Sequence, residues 1–270
     1  MVSRLTGMTG PKPTNRIIFP IHFAPGKKLF HVVVKLSDAP GSFSAILNLL
    51  GPKVNLIGTT TYSLSDGTAI FSGFSESLSP DETAKSLSRL IMSSKAAIDA
   101  SVIEGQDGLL IDTFHTGIEV GGDEFMLVRR LGASLMFDHV AKLLGSGGEA
   151  LLYEEGRSLS LMNAEKMIRL VGIERVRTSS AELSHFLTAQ GWGTPGVVGN
   201  LGDGSLTIKL DDCFECSAKV TYRKGCNFMR GYFAGSMEAS MGGNVEAKEI
   251  RCSLKGAPSC EFSVTTSANS

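Results

Sequence analysis

The chain contains no apolar run approaching the ~18 residues of a membrane span. Its first residues, MVSRLTGMTGPKPTNR, lack the apolar core of a signal peptide. These absences place the expected protein in the cytoplasm, without a membrane span. There is no acidic residue in 1–28, where Arg4, Lys12, Arg16, Lys27 and Lys28 stand alone, so this stretch reads as a basic flexible arm. No stacking platform accompanies those charges, which argues against nucleic acid as a partner. Catalytic signatures are missing too. No GxSxG, Walker loop, HExxH pair or GxGxxG after a strand occurs, and the chain reads as non-enzymatic. The glycine-rich GSGGEA at 145–150 has no following Lys-Ser/Thr, and His115, His139 and His185 lie in separate segments. Cysteine is scarce at five, an odd number that cannot all pair within one chain. In a reducing compartment such thiols serve metals or redox chemistry rather than permanent bridges.

What is present fits a soluble α+β protein: 270 residues, 42% hydrophobic and 20% charged, enough for two cores. Residues 29–106 read as one compact unit. LFHVVVKL is a β-branched strand run that breaks at SDAPGS. SFSAILNLL then sets Phe43, Ile46, Leu47 and Leu50 at helical spacing. KVNLIGTTTYSLS and GTAIFSGFSE alternate as strands about Ser65-Asp66-Gly67. SPDETAKSLSRLIMSS is a second helix with Ser79 as its expected N-cap and Pro80 at its first position. IDASVIE closes a βαββαβ, ferredoxin-like order. With LSDAPGSFSAILNLLGPKVNLIG at its front, this unit resembles the ACT domain family. The resemblance implies an amino-acid site at the strand–helix turn, with Asp38, Gly41 and Asn55 at the matching positions, and pairing into a homodimer. Gly41 would let backbone approach a ligand, and the helix start offers free N–H groups to a carboxylate.

Residues 107–268 are richer in glycine. EFMLVRRLGASLMFDHVAKLLG leads into a helix. GGEALLYEEGRSLS reads as a strand and turn entering a second helix, LMNAEKMIRLVG. SSAELSHFLTAQGWG is a third helix, ending at Gly191. GSLTIKLDDCFE is a strand and CNFMRGYFAGSMEASMGG a fourth helix. NVEAKEIRCS and CEFSV form a terminal hairpin, giving a mixed α+β domain with an antiparallel sheet.

That hairpin carries two thiols. If its strands pair symmetrically about Gly256, Cys252 and Cys260 face each other at ~4.5–5.5 Å between Cβ atoms, close enough for a shared ion or a strained disulfide. Glu249 has the wrong parity to join that face without a bulge. On spacing alone, CFEC is the stronger knuckle, making a four-cysteine site of Cys213, Cys216, Cys252 and Cys260. The pattern CNFMRGYFAGSMEASMGGNVEAKEIRCSLKGAPSCEF, however, is similar to the C-terminal signature of the 4-vinyl-reductase domain family. Its members include phenol-responsive and redox-sensing regulators, and they share a fold with vesicle-tethering subunits. The resemblance implies zinc at Cys226, Glu249, Cys252 and Cys260. Four ligands close a tetrahedral site, so the zinc is expected to be structural. The extra pair Cys213 and Cys216 falls outside that pattern and offers a thiol redox switch.

A ligand cavity is expected to be apolar with a few polar groups. The aromatic-rich segments HFLTAQGWG and CNFMRGYF nominate His185, Phe186, Trp192, Phe228 and Tyr232 for a small hydrophobic or aromatic ligand. The combined expectation is a sensing or regulatory protein with a zinc-braced pocket that signals to a separate effector. The alternatives are the Cys213/Cys216 switch and an enzyme or carrier acting on a tetrapyrrole-like ligand.

Overall fold

The computed structural model describes residues 15–266 except 16, 19, 121, 179, 201–203, 220 and 221. Arg4, Lys12 and Arg16 of the basic arm lie outside the described residues. The chain divides into two compact units between Met126 and Leu127.

The first unit is built on β2 (Leu29–Ser37), α1 (Ser42–Leu50), β3 (Val54–Ser63), β4 (Thr68–Ser77), α2 (Ala84–Met92) and β5 (Ala97–Glu104), following β1 (Ile21–Phe23). The sheet order is β3-β4-β2-β5 with every neighbour antiparallel, the ferredoxin-like arrangement. The β-branched run of β2 explains its central place: Phe30, Val32, Val34 and Leu36 are buried on one face against Ile46, Leu50, Leu87 and Ile91 of the two helices. Helix α2 starts later than the Ser79 cap predicts. Thr83 caps it, with its Oγ1 accepting from Ser86 N at 3.1 Å and its own N–H donating to Ser86 Oγ at 2.9 Å. That reciprocal pair satisfies two orphan donors, which Ser79 cannot do from its turn.

The unit also extends beyond the expected span of 29–106. Strand β1 pairs with β6 (Leu109–Ile111), and Leu110 packs with Leu29 and Phe74 on the sheet face away from the helices. An open sheet face made of Leu29, His31 and Phe74 needs such a cover, and residues on both sides of the expected span supply it. A short pair, β7 (Ile118–Val120) and β8 (Asp123–Phe125), follows.

The second unit holds α3 (Arg130–Leu144), α4 (Ser146–Val171), α5 (Ile173–Thr178), α6 (Ser180–Ala189), β9 (Thr194–Asn200), β10 (Ser205–Asp211), α7 (Asn227–Met241), β11 (Val245–Arg251) and β12 (Cys260–Thr266). Its antiparallel sheet runs β11-β12-β10-β9. Leu206, Ile208 and Leu210 of β10 and Phe262 and Val264 of β12 form its buried face with Met229, Phe233 and Met237 of α7. The mixed α+β class with antiparallel sheets is as expected.

One element differs in kind. The stretch GGEALLYEEGRSLS, expected as a strand and turn, is the first half of α4. Gly148, Leu152, Gly156, Ser160 and Ala164 recur every fourth residue along its buried stripe. A Cβ on Gly156 would run into the Phe228 carbonyl, and one on Gly231 into the Tyr153 carbonyl. The glycines are there so that α4 and α7 can touch backbone to backbone, and they do not break the helix. Ser160 Oγ meets Ser236 Oγ at 2.7 Å across the same seam. Arg157 closes it with a two-pronged ion pair to Glu238, both contacts at 2.7 Å.

Candidate metal centre

Five cysteine sulfurs converge where three segments meet, all of them free thiols. Strand β10 ends at Asp211, and Asp212 turns the chain with φ 53° into Cys213 and the 3-10 turn Phe214–Cys216. Cys226 is the N-cap residue of α7. Cys252 follows β11, and Cys260 opens β12. Gly256, at φ 87°, takes the left-handed conformation that the hairpin turn requires.

The register of this hairpin settles its parity. Glu249 pairs with Phe262, and Arg251 pairs with Glu261, so an irregularity lies between them at Ile250. This is the bulge that Glu249 needs in order to reach the thiols' side. The Cys216 sulfur lies 3.2 Å from Cys226, 3.5 Å from Cys260 and 3.9 Å from Cys252. The Cys226 sulfur lies 3.8 Å from Cys252 and 3.6 Å from Cys260. Cys213 stands at the margin, 3.9 Å from Cys226. The pair offered as a redox switch is thus drawn into the cluster, with Cys216 at its centre.

Charges around the cluster are arranged by the start of α7. Glu249 Oε1 accepts the Cys226 N–H at 3.1 Å. Glu215, between the two cysteines of CFEC, is fully buried and accepts from Met229 N at 2.9 Å and Phe228 N at 3.3 Å. Two carboxylates therefore cap one positive helix end. Burial pushes the Glu215 carboxyl up to about 7, against the pull of Arg223 and the α7 amides. Arg223, also fully buried, donates from Nη1 to Glu215 Oε1 at 3.1 Å and to the Gly225 carbonyl at 2.9 Å. Crowding sorts the thiols. Hydrogen bonds from Cys213 first, then from the other sulfurs, hold Cys260 low. The same contacts, with Cys213 again the largest influence, hold Cys226 high.

The donor set fits a metal ion. A tetrahedral ion with Zn–S bonds of about 2.3 Å puts its sulfurs about 3.8 Å apart. Among the sulfurs of Cys216, Cys226, Cys252 and Cys260, five pairs stand at 3.2–3.9 Å, and Cys252 and Cys260 lie within 4.8 Å of each other. Two four-residue sets place their donor atoms within 4.8 Å of one another: Cys213, Cys216, Cys226 and Cys260, and Cys226, Glu249, Cys252 and Cys260. The CxxC spacing is the signal that points to Cys216; nothing in the sequence singles out Glu215 as a cap.

Of the expected ligand residues, three come together. Trp192 lies with its ring centroid 5.1 Å from Tyr232 and 5.8 Å from Phe228. Phe214 at 5.5 Å from Trp192 and Phe137 at 5.1 Å from Phe228 complete a ring cluster that the sequence does not assemble. His185 and Phe186 do not join it: both are exposed on α6, whose Leu187 is the buried residue of that turn. In the first unit, Asp38 and Gly41 share an exposed turn after β2, and Gly41 has φ 88°. Asn55 lies elsewhere. It pairs with Glu76, which pairs with Leu29 at the start of β2, so the sheet's length separates it from Asp38.

The V4R domain family matches residues 206–266. No curated protein matches the chain. Among solved structures, the phenol-responsive sensory domain of the transcription activator PoxR, solved with phenol, is similar at 20% identity over 58% of this chain and 84% of that one, with a TM-score of 0.43. A vinyl-4-reductase family protein from Methanocaldococcus jannaschii is 19% identical over 53% and 85%, with a TM-score of 0.36. Trafficking protein particle complex subunit 3 from Naegleria fowleri, covalently bound to palmitic acid, is 14% identical over 52% and 98%, with a TM-score of 0.40. Among the described residues, no helix is long and apolar enough to cross a membrane.

Proposed function

We propose, from the V4R match over residues 206–266, that the second unit is a small-molecule-sensing module braced by a structural zinc ion. The observation that carries the metal is the near-tetrahedral spacing of four sulfurs supplied by three segments. Cys216, Cys226, Cys252 and Cys260 hold the ion in this reading, and Glu249 stays on the Cys226 N–H as a helix cap. The set Cys226, Glu249, Cys252 and Cys260 is the second reading, favoured by the Glu249 oxygen lying within reach of the same sulfurs. Either set closes the coordination sphere, so the zinc ties segments together and leaves no position for a reacting water.

The ligand in this reading is a small hydrophobic or aromatic molecule that seats against Trp192, Phe228 and Tyr232, where edge and face contacts with an aromatic ring are available. The protein works in the cytoplasm as a homodimer, carries out no chemistry, and passes its state to a separate effector. The first unit takes an amino acid at the turn around Asp38 and Gly41.

Elemental analysis of protein purified without added metal tests the zinc. One zinc per chain is expected in the wild type and in Glu249→Gln, with loss in Cys216→Ser and Cys252→Ser. Loss in Glu249→Gln with retention in Cys216→Ser selects the second set. A folded, metal-free wild type overturns both sets and moves the Cys213/Cys216 redox switch to first place.

A further inference from the structure

Three ligand-type side chains meet on the face of the first unit's sheet that α1 and α2 leave uncovered. His31 alternates with Phe30 and Val32 along β2, so it projects away from the helix-side core. It is fully buried, its Nε2 lies 2.8 Å from Ser72 Oγ, and its Nδ1 has no hydrogen-bond partner. The segment after β6 brings Asp112 and His115 to it. Asp112 N donates to the Pro20 carbonyl at 3.0 Å, and Asp112 Oδ1 accepts the N–H groups of Phe114 at 2.9 Å and His115 at 3.0 Å, which fixes the turn. Asp112 Oδ2 lies 2.7 Å from His115 Nδ1, which leaves His115 Nε2 buried and unpartnered. One nitrogen of each ring and one Asp112 oxygen lie within 4.8 Å of one another.

A buried imidazole nitrogen left without a partner is destabilising, because it has given up water and gained nothing in return. The His31 Nδ1, beside the Asp112 carboxylate and the His115 ring, calls for a partner shared with them, and the negative charge favours a cation. Asp112 Oδ1 and His31 Nδ1 are 3.9 Å apart, too far for a hydrogen bond. An ion about 2.1 Å from each donor holds its donors about 3.0–3.5 Å apart, so a shift on the order of 1 Å closes the site. The Ser72 contact on Nε2 is the outer hydrogen bond that metal-bound histidines use to present the other nitrogen. Burial, offset in part by the Asp112 charge, lowers the His31 pKa. The side chains of Asp112 and His115 retain 17% and 25% exposure, which gives an ion a way in.

We propose that His31, Asp112 and His115 bind a divalent first-row transition ion. Two imidazoles and a carboxylate suit Ni²⁺, Co²⁺ or Zn²⁺. Three protein ligands leave coordination positions open, so this ion exchanges readily, unlike one enclosed by four thiolates. Its capture pins residues 112–115 to β2, which makes the first unit responsive to metal.

The test uses the untagged full-length chain with its thiols saturated by Zn²⁺, titrated with Ni²⁺ alone and followed by calorimetry. Wild type is expected to take up one Ni²⁺ per chain, and Cys252→Ser to keep that uptake. His115→Ala and Asp112→Asn, both at partly exposed positions, are each expected to weaken it at least ~100-fold, the upper range for loss of a mere outer-shell partner. No uptake by folded wild type, or an unchanged Kd in either folded variant, overturns the proposal. Sub-stoichiometric Ni²⁺ should also broaden the His31 and His115 ring resonances in wild type, and broadening confined to other residues overturns it without any mutation.

Discussion

Replacing Gly156 by alanine is expected to destabilise the second unit, against the usual effect of that change in a helix. In an exposed helix interior, glycine to alanine gains about 1 kcal/mol. At Gly156 the new Cβ would meet the Phe228 carbonyl oxygen, with its carbon at 2.9 Å and Tyr232 N at 3.1 Å. These atoms belong to the backbone of α7 and cannot swing away, so the helices must separate. Overpacking of this kind costs about 1–3 kcal/mol, and here it falls at the upper end because no side chain can absorb it. The net loss is then about 1–2 kcal/mol, or roughly 2–8 °C in melting temperature for a protein of this size. Gly147→Ala in the same helix is the control: that position is exposed, with nothing within 4 Å of a new Cβ. It is expected to be neutral or to gain up to about 1 kcal/mol. Urea unfolding followed by far-UV circular dichroism measures both. If Gly156→Ala proves as stable as Gly147→Ala, α4 and α7 do not meet at that glycine and the account of the seam is wrong.

Glu215→Ala leaves Arg223 buried without its carboxylate and uncaps α7, an expected cost of about 3–5 kcal/mol; urea unfolding that shows a loss below about 1 kcal/mol contradicts the buried pair. Thr83→Ala removes the α2 capping box and should cost about 0.5–2 kcal/mol in the first unit, whereas Ser79→Ala should change the unfolding midpoint little. Trp192 is the chain's single tryptophan, so its emission reports on the ring cluster. Titration with a small aromatic molecule of the proposed kind should shift that emission in wild type and not in Tyr232→Ala, and a response unaffected by the substitution places the ligand elsewhere. Removing metal with a chelator should lower the melting temperature of the second unit in wild type but not in Cys252→Ser, because only the former holds an ion on the thiols.

How far the sequence speaks depends on how local each cause is. The β-branched run at 29–36 and the alternating hairpin strands are decided by their own residues, and the βαββαβ order follows from them. The helical character of 147–160 is not local. Gly148 and Gly156 read as breakers until α3 and α7 supply the backbones that need them small. Strand β9, TPGVVGN, carries a proline and two glycines against its own assignment, and pairing with β10 outweighs them. The bulge that turns Glu249 toward the thiols has no sequence marker, although the parity of Glu249 and Cys252 shows that one is required. The cysteines of the hairpin are legible by spacing and Cys226 through the resemblance of its pattern, and the place of Cys216 among them rests on a turn that the spacing alone does not orient. His31 is invisible as a ligand, since its partners lie some eighty positions away on a segment that looks like a linker.

The position of Cys226 at the head of α7 has a thermodynamic consequence. Phe228 and Tyr232 follow it on the same rigid helix, in van der Waals contact with Trp192. An ion on the thiols and a molecule among the rings then act on one body, and their binding free energies are coupled. Reciprocity requires that whatever factor the metal applies to the ligand's affinity, the ligand applies to the metal's. A chelator competition run with and without the ligand therefore reads the same coupling as a ligand titration run with and without zinc.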